Sequence, residues 1–370
     1  MKYVREFEGL RGLMAIWVLL GHWASTVEAP FWLFKEKLLN YDAVVVFIML
    51  SGFAITALLD KKPEPYGLYI QRRMLRIFPV YLLFLGVSIL AAPLALETWA
   101  NSPDGSMKAA RIGIAADTLT YWPYQLAAHI PALHGLIPPR LLPSTDFAFL
   151  GQGWSISLEW QFYLIAPVLL TLLLNPWTRR KVGTAICATL VLVVLSHRMP
   201  MGFIGGTLHE FIIGMGSYYF MKGRAIPGSI ASRIPILEAW LAIVLLCLFM
   251  SPVESIPYML WASVLAGVIA SRENSGKAGK ALSDTLLSKP LQWIGKMAYS
   301  VYLSHMLVIV LGLNILEKLD IRDSLTQASL LLTFVLPVTL AVSWISYNFV
   351  ELPFHNIGRR LGTTQVPATT

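Results

Sequence analysis

Apolar runs long enough to cross a lipid bilayer recur along this chain of 370 residues, and they limit the folds that it can adopt. A spanning helix needs about 20 predominantly apolar residues, and only helices and closed barrels satisfy their backbone inside a bilayer. Hydrophobic residues make up 56% of the sequence and charged residues 14%, unlike ordinary soluble domains. We therefore predict an all-α, polytopic integral membrane protein of about ten transmembrane helices, near residues 9–27, 41–60, 74–96, 154–175, 182–197, 203–221, 235–251, 256–271, 292–316 and 327–350.

Basic residues are distributed unevenly between the predicted loops. With the N-terminus in the cytoplasm, 21 of the 29 lysines and arginines fall in inside segments and 8 in outside segments, as the positive-inside rule requires. Both termini are then predicted to be cytoplasmic. The net charge of +8 is explained by topology, so we expect the lipid bilayer as a partner and no nucleic acid.

The predicted transmembrane domain covers residues 1–355, followed by a short cytoplasmic tail at 356–370. Its long outside loop, residues 97–153, is rich in aromatic residues, and loops of this length are commonly functional. Aromatic rings with scattered polar groups suit a sugar-like acceptor. An interfacial belt of Trp and Tyr would give the same composition.

Few residues in the sequence have the spacing of metal ligands. His129 and His134 in the outside loop are weak evidence for a metal site. Cys187 and Cys247 lie in predicted helices and indicate neither a disulfide framework nor a metal cluster. We expect no metal.

One arginine and one histidine interrupt the first apolar run. Arg11 and His22 are eleven residues apart, so helical geometry places them within about 20° of one face and about 16 Å apart along the axis. Such groups are costly in a membrane helix and usually mark a substrate or ion pathway. We interpret Arg11 as a substrate-binding group near one membrane surface and His22 as the reactive group deeper in the membrane. A topology-setting arginine and a packing histidine explain the pair about equally well.

Charged groups recur at two other places. Arg72, Arg73 and Arg76 share a face at the start of the third predicted helix, where they suit a phosphate through bidentate bonds. Anchoring to lipid headgroups is the alternative. Glu159 lies in the fourth predicted helix at the predicted depth of His22, where a carboxylate can orient a base.

Two more polar side chains lie inside predicted spans. Ser51 precedes Gly52, and this small pair allows either close helix packing, which we favour, or a ligand against the backbone. His305 in the ninth predicted helix is another titratable group within the membrane.

Seven short motifs follow one another over nearly the whole chain, and in this order they resemble the acyltransferase 3 family of membrane-embedded acyltransferases. They are Glu8-Gly-Leu-Arg11 with ten residues before His22, Leu50-Ser-Gly-Phe53, Arg72-Arg73-x-x-Arg76-Ile-x-Pro79-x-Tyr81, Trp154-Ser-x-x-x-Glu159-x-x-Phe-Tyr163, Phe211-x-x-Gly-Met215, Tyr299-Ser300-x-Tyr302-Leu-x-His305 and Val350-Glu351-x-Pro353.

The resemblance implies an O-acyltransferase in the bacterial cytoplasmic (inner) membrane. Such an enzyme moves an acyl group, usually acetyl, from cytoplasmic acyl-coenzyme A, here acetyl-CoA, to a hydroxyl of an envelope or exported carbohydrate or glycolipid. His22 then takes the place of the family's essential histidine, as general base or acyl-accepting residue. Glu159 and Arg11 join it as predicted catalytic residues. The residues predicted to bind the donor are Arg11, Arg72, Arg73, Arg76, Ser51 and His305.

The chain departs from the family pattern at two positions. An aspartate six residues before the Ser-Gly pair is common in the family, and here that position is Val45. The role of that aspartate is then absent or is taken by another residue, for which Asp42 is the candidate. The motif acid before Gly9 is Glu8 instead of the commoner aspartate. We also expect the chain to lack the C-terminal esterase-like domain that some members carry.

Two other classes of protein remain open from the sequence. A transporter of a charged metabolite would use Arg11, His22, Glu159 and His305 as a proton or anion relay. A non-catalytic membrane scaffold is disfavoured, because it has no need for so many buried titratable groups.

Overall fold

A computed structural model describes residues 3–27, 40–102, 107–174, 178–226, 229–250 and 255–361. Regular structure in these ranges is helical throughout. The described ranges do not include Lys35 and Lys37, two of the eight basic residues predicted in outside segments, or the tail beyond Leu361. The helices are α1 (Glu6–Ala24), α2 (Asn40–Lys61), α3 (Tyr66–Asn101), α4 (Lys108–Thr120), α5 (Trp122–His129), α6 (Gly153–Leu174), α7 (Arg179–Ser196), α8 (Ile204–Arg224), α9 (Ile230–Arg233), α10 (Ile236–Met250), α11 (Ile256–Arg272), α12 (Lys277–Leu286), α13 (Lys289–Lys296), α14 (Ala298–Lys318), α15 (Ser324–Ser346) and α16 (Leu352–Arg360).

Helices occupy all ten predicted spans, and the all-helical class is confirmed. Within the described residues, five helical segments are long and apolar enough to cross a membrane, and two shorter apolar helices accompany them. The total of ten spans and the side of the termini stay predictions. The five segments are Asn40–Lys61, Tyr66–Asn101, Gly153–Leu174, Ala298–Lys318 and Ser324–Arg360.

Two predicted boundaries differ from the structure. The predicted run 292–316 is divided at Met297 into α13 and α14, because Lys289, Gln292 and Lys296 make the first part polar on one side. The predicted loop 97–153 begins inside α3 and contains α4, α5 and a short 3-10 turn. The described residues of this loop are therefore folded.

The chain forms two compact units. Unit 1 contains the described residues up to 24, those from 40 to 58 and those from 209 to 299. Unit 2 contains residues 25–27, 59–208 and 300–361 in the described ranges.

Glycines allow helix backbones to touch in unit 1. A Cβ at Gly9 would lie 1.8 Å from the carbonyl oxygen of Leu286, and one at Gly12 would lie 2.5 Å from that of Leu291. Gly295 on α13 meets the backbone of α1 in the same way. The glycines of the first motif thus allow the backbone of α1 to pack directly against α12 and α13.

Helices α2 and α8 approach each other equally closely. A Cβ at Gly52 would lie 2.2 Å from the carbonyl oxygen of Phe211, and one at Gly214 would lie 2.0 Å from that of Met49. The close helix packing that we favoured for the small pair in α2 is confirmed.

Replacing Gly214 with alanine is expected to lower the melting temperature of the purified protein in detergent, because the added methyl group must push α8 from α2. Overpacking of this kind costs typically about 1–3 kcal/mol. Gly216→Ala on the same helix is the matched control, since a Cβ there meets no described atom within 4 Å. Equal melting temperatures for the two variants would contradict the α2–α8 contact.

In unit 2, the long helix α3 is the element on which others pack. Helices α4 and α16 both contact it, and a Cβ at Gly358 on α16 would lie 3.8 Å from the Cα of Arg72. A π-helical segment, Tyr347–Glu351, joins α15 to α16. Such segments often occur at functional sites, and this one directs Glu351 into the interior, where it is 2% exposed.

Candidate active site

Arg11 and His22 lie on the continuous helix α1 of unit 1, so they share a face about 16 Å apart along the axis. Arg11 lies 3.8 Å from Glu8, which also accepts a hydrogen bond of 2.5 Å from the hydroxyl of Tyr3. His22 is half-buried. The helix thus presents a guanidinium near its start and an imidazole near its end.

The start of α1 is held by polar contacts within unit 1. The carboxylate of Glu6 accepts a hydrogen bond of 3.0 Å from the hydroxyl of Ser283 and pairs with Arg272 at 3.4 Å. The side-chain amide of Gln292 donates to the carbonyl of Arg5 at 2.9 Å. These contacts and the glycine contacts fix the position from which Arg11 projects.

The far end of α1 lies beside the start of α2. A Cβ at Gly21 would lie 1.5 Å from Oδ1 of Asn40, and Asp42 follows in the first turn of α2, 5% exposed. Tyr41 interacts electrostatically with both Asp42 and Glu210. Unit 1 therefore places Asp42 near the end of α1 that carries His22, with Glu210 in the same charged group.

A cluster of His209, Glu210 and Tyr258 in unit 1 was not assigned from the sequence. Nδ1 of His209 lies 3.1 Å from Oε2 of Glu210, and its Nε2 lies 3.1 Å from the hydroxyl of Tyr258. That hydroxyl donates to Oε1 of Glu210 at 3.5 Å. The sequence does show an adjacent histidine and glutamate in an apolar helix, which could have indicated this cluster. It does not show that Tyr258 of α11 joins them.

Unit 2 joins one predicted donor-binding arginine to the predicted catalytic glutamate. The guanidinium of Arg73 lies 5.8 Å from the ring centroid of Tyr163, and the hydroxyl of Tyr163 donates a hydrogen bond to Glu159. Tyr69, 1% exposed, interacts electrostatically with Arg73, Tyr163 and Glu159. The third and fourth predicted spans thus meet at these four residues.

The three arginines of the basic motif have different environments. Arg72 is buried and paired with Glu64, and it also donates to the carbonyl of Leu361. Arg76 lies 3.6 Å from Glu351. Arg73 has no carboxylate partner among the residues that the structure describes. Its guanidinium is therefore the best placed of the three to accept an external anion.

Glu351 connects the basic motif to α14, since it accepts a hydrogen bond of 2.8 Å from the hydroxyl of Ser300. Further along α14, the hydroxyl of Tyr302 accepts from Ser155 at 2.7 Å and donates to the carbonyl of Gln152 at 3.2 Å. Ser155 precedes Glu159 by one helical turn. These contacts hold the start of α6 against α14, and no role was assigned to them from the sequence.

The other two predicted donor-binding residues lie in separate units. Ser51 is buried on α2 of unit 1. His305 is fully buried on α14 of unit 2, with Nδ1 3.3 Å from the carbonyl oxygen of Val301. Arg11, His22 and Ser51 thus belong to unit 1, and the other predicted site residues belong to unit 2. The orientation of His22 by Glu159 stays a prediction.

The predicted outside loop is anchored to α6 by buried polar contacts. Asp146 accepts a hydrogen bond of 2.9 Å from the backbone N–H of Gly202, whose carbonyl accepts one of 2.7 Å from Gln161 on α6. A Cβ at Gly135 would lie 2.0 Å from the same carbonyl oxygen. Burial raises the pKa of Asp146.

His129 and His134 form a stacked pair inside this loop. Their ring centroids are 4.0 Å apart with 3° between the planes, and both side chains are fully buried. Nδ1 of His129 lies 2.8 Å from the carbonyl oxygen of Gln125. Within the described ranges, no group of three or more His, Cys, Asp or Glu could hold a metal ion. The geometry fits a packed pair of neutral imidazoles.

Burial lowers the pKa of His129 to about 4, and burial together with the neighbouring ring lowers that of His134 well below its usual value. An unfolded histidine titrates near pH 6.5, so between about pH 4 and 6.5 the unfolded chain binds protons that the folded pair does not. The pair's contribution to stability is therefore complete above about pH 6.5 and falls as the pH falls.

We expect the melting temperature to decrease between pH 7.5 and pH 5, with His129 alone costing about 2 kcal/mol at pH 5. His129→Phe keeps a stacked ring without the titration, so its melting temperature should decrease less. His197→Phe is the control, because His197 is exposed at the end of α7. A decrease in the melting temperature of His129→Phe as large as that of the wild type would show that His129 does not cause the pH dependence of stability.

Residues 4–348 match the family model described as an acyltransferase domain. The peptidoglycan O-acetyltransferase OatA of Listeria monocytogenes is 25% identical, with 96% of this chain and 56% of the relative covered. The O-acetyltransferase OatA of Staphylococcus aureus is 24% identical over 96% of this chain and 58% of its own length. The putative peptidoglycan O-acetyltransferase YrhL of Bacillus subtilis is 23% identical over 97% and 56%. The chain thus spans somewhat more than half the length of these relatives, and no solved structure matches it.

Proposed function

The chain belongs to the acyltransferase family, whose model covers residues 4–348, and we propose that it is an acyltransferase that O-acetylates an envelope carbohydrate. The proposed donor is acetyl-CoA from the cytoplasm, and the proposed location is the bacterial cytoplasmic membrane. The relatives named as peptidoglycan O-acetyltransferases support a glycan hydroxyl as the acceptor. The apolar helices support a membrane enzyme.

The observation that carries this proposal is the set of contacts from Arg73 through Tyr163 to Glu159 in unit 2. It joins a guanidinium without a carboxylate partner in the described chain to a carboxylate on a neighbouring helix. Binding of acyl-coenzyme A needs a cation for its phosphates, and acyl transfer needs an acid–base group that acts on the acceptor hydroxyl.

In the proposed reaction, neutral His22 takes the proton from the acceptor hydroxyl as the oxygen attacks the thioester carbon. The new oxygen–carbon bond forms the ester, and the carbon–sulfur bond breaks. The proton held by His22 then passes to the sulfur, so that coenzyme A leaves as the thiol. Arg11, on the same face of α1 as His22, is proposed to contact the pantetheine arm.

A second route has His22 take the acyl group first and pass it to the acceptor. It requires a covalent acyl-protein, which radiolabelled donor would reveal after rapid quenching. Without a trapped acyl-protein in the active enzyme, direct transfer is the supported route.

The proposal is tested with the purified full chain in nanodiscs, given acetyl-CoA labelled in its acetyl group and peptidoglycan glycan oligosaccharides. We expect alkali-labile label in the oligosaccharide, dependent on the protein. The competing hypothesis, transport of a charged metabolite, predicts flux into proteoliposomes without a covalent product. Flux with no labelled oligosaccharide and no donor consumption would overturn the acetyltransferase proposal.

A further inference from the structure

Arg111, in the first turn of α4 in unit 2, has polar partners that are all neutral. Its two terminal nitrogens donate to the hydroxyls of Thr26 at 3.1 Å and Ser25 at 2.9 Å. Its guanidinium carbon lies 4.5 Å from the ring centroid of Trp99, at the end of α3. A carboxylate is not among its contacts in the part of the chain that the structure describes.

Among the described residues, the contacts of Arg111 thus supply no counter-charge. Burial lowers the pKa of Arg111 to about 10, which leaves the group charged at neutral pH. Desolvating a cation is costly unless an anion compensates it. The two hydroxyls use two of the five guanidinium N–H groups, so donors remain for a ligand.

The other charged groups near this end of α4 interact with one another. Lys108 donates to the carbonyl of Ser102 at 2.6 Å and interacts electrostatically with Glu317, which also interacts with Glu97. Glu317 is therefore engaged with Lys108, whereas the described contacts of Arg111 are two hydroxyls and an aromatic ring.

We propose that Arg111, held in place by Ser25, Thr26 and Trp99, binds a carboxylate carried by the carbohydrate acceptor. One edge of a guanidinium matches a planar carboxylate with two parallel N–H···O bonds, and stacking on Trp99 fixes the plane of that edge. The hydroxyls of Ser25 and Thr26 accept from Arg111 and so hold the guanidinium in position. A doubly charged phosphate would call for a second cation, and Lys108, three residues before Arg111, is already engaged.

This inference rests on the proposed function, because it assigns the site to the acceptor. Ser25 and Thr26 follow His22 by three and four residues along the chain. The two residues that hold Arg111 are thus close to the proposed base along the chain.

Binding of two matched probes to the full chain in phosphatidylcholine nanodiscs tests the proposal by equilibrium dialysis. One probe is an oligosaccharide of N-acetylglucosamine and N-acetylmuramic acid with free lactyl carboxylates, and the other has these carboxylates converted to methyl amides. We expect the wild type to bind the acid at least about tenfold more tightly, as for one charge-assisted pair. Arg111→Gln should abolish this preference, and Arg111→Lys should keep part of it.

The control is Arg322→Gln, because Arg322 is exposed and pairs only with Asp320 in the described structure. It should bind both probes as the wild type does. The proposal is wrong if the wild type binds the acid no better than the amide, or if Arg111→Gln keeps the preference. It is also wrong if Arg111→Gln alters only competition by added phosphatidylglycerol, since the anion would then be a lipid headgroup.

Failure of this site and failure of the acetyltransferase function give different results. The dialysis measures binding without donor or catalysis, so the acid preference can vanish while wild-type protein still acetylates a neutral glycan. Conversely, a preserved acid preference with no consumption of acetyl-CoA would contradict the proposed function and leave the anion site standing.

Discussion

Replacing His22 with alanine is expected to lower kcat for acetyl transfer by about 1,000-fold or more and to change donor affinity little. General base catalysis by one side chain contributes about 10²–10⁴-fold, and the proton on the acceptor hydroxyl would lose its acceptor. Affinity is spared because His22 acts on the reacting atoms, whereas the donor phosphates bind elsewhere. Steady-state transfer rates, together with direct binding of coenzyme A, separate the two effects.

His197→Ala is the matched control, because this histidine is exposed at the end of α7 and should leave the rate unchanged. A His22→Ala protein that folds, binds coenzyme A and transfers acetyl at the wild-type rate would refute the role of His22. In that case the apolar setting of this histidine would reflect packing alone.

The same assay distinguishes the carboxylates that could orient His22. Sequence reasoning favours Glu159, whereas unit 1 itself places Asp42 near the end of α1 that carries His22, with Glu210 in the same charged group. Loss of the orienting partner should lower kcat about tenfold or more and move the acidic limb of the pH–rate profile to lower pH, since a carboxylate favours the protonated imidazole. The variants Asp42→Asn, Glu159→Gln and Glu210→Gln should differ in this shift.

Hydropathy was enough to predict the all-helical class and a helix in each apolar run. Periodicity was enough to place Arg11 and His22 on one face, because both depend only on local geometry. The packing partners of the motif glycines could not be predicted from the sequence, because the contact of Gly9 with Leu286 joins positions that are distant along the chain. Apolar composition does not encode which helices meet.

The basic motif illustrates the same limit at the candidate site. Its three arginines share one helix face, and nothing in the sequence pattern distinguishes them. Only tertiary contacts distinguish the three arginines. Arg72 binds Glu64 and the carbonyl of Leu361, 289 residues away, whereas Arg73 faces the ring of Tyr163. Likewise, the folded loop containing His129 and His134 depends on long-range hydrogen bonds that composition does not show.

Arg73→Gln is therefore expected to raise KM for acetyl-CoA by about 10–100-fold while leaving the melting temperature nearly unchanged. A charge-assisted hydrogen bond to a phosphate is worth about 1.5–3 kcal/mol, which corresponds to that range in affinity. Arg73→Lys should recover part of the loss, because the charge remains but the bidentate geometry does not. The measurement is donor binding and KM for the purified protein in one lipid composition.

Arg72→Gln on the same helix should behave in the opposite way. Glu64, with a side chain 4% exposed, would remain buried without its partner, and breaking a buried ion pair in this manner costs about 3–5 kcal/mol. We expect a markedly lower melting temperature with KM little changed in the protein that remains folded. If Arg73→Gln leaves KM unchanged and only weakens binding to anionic lipid, the motif anchors headgroups, and the donor phosphates must bind at another cationic surface.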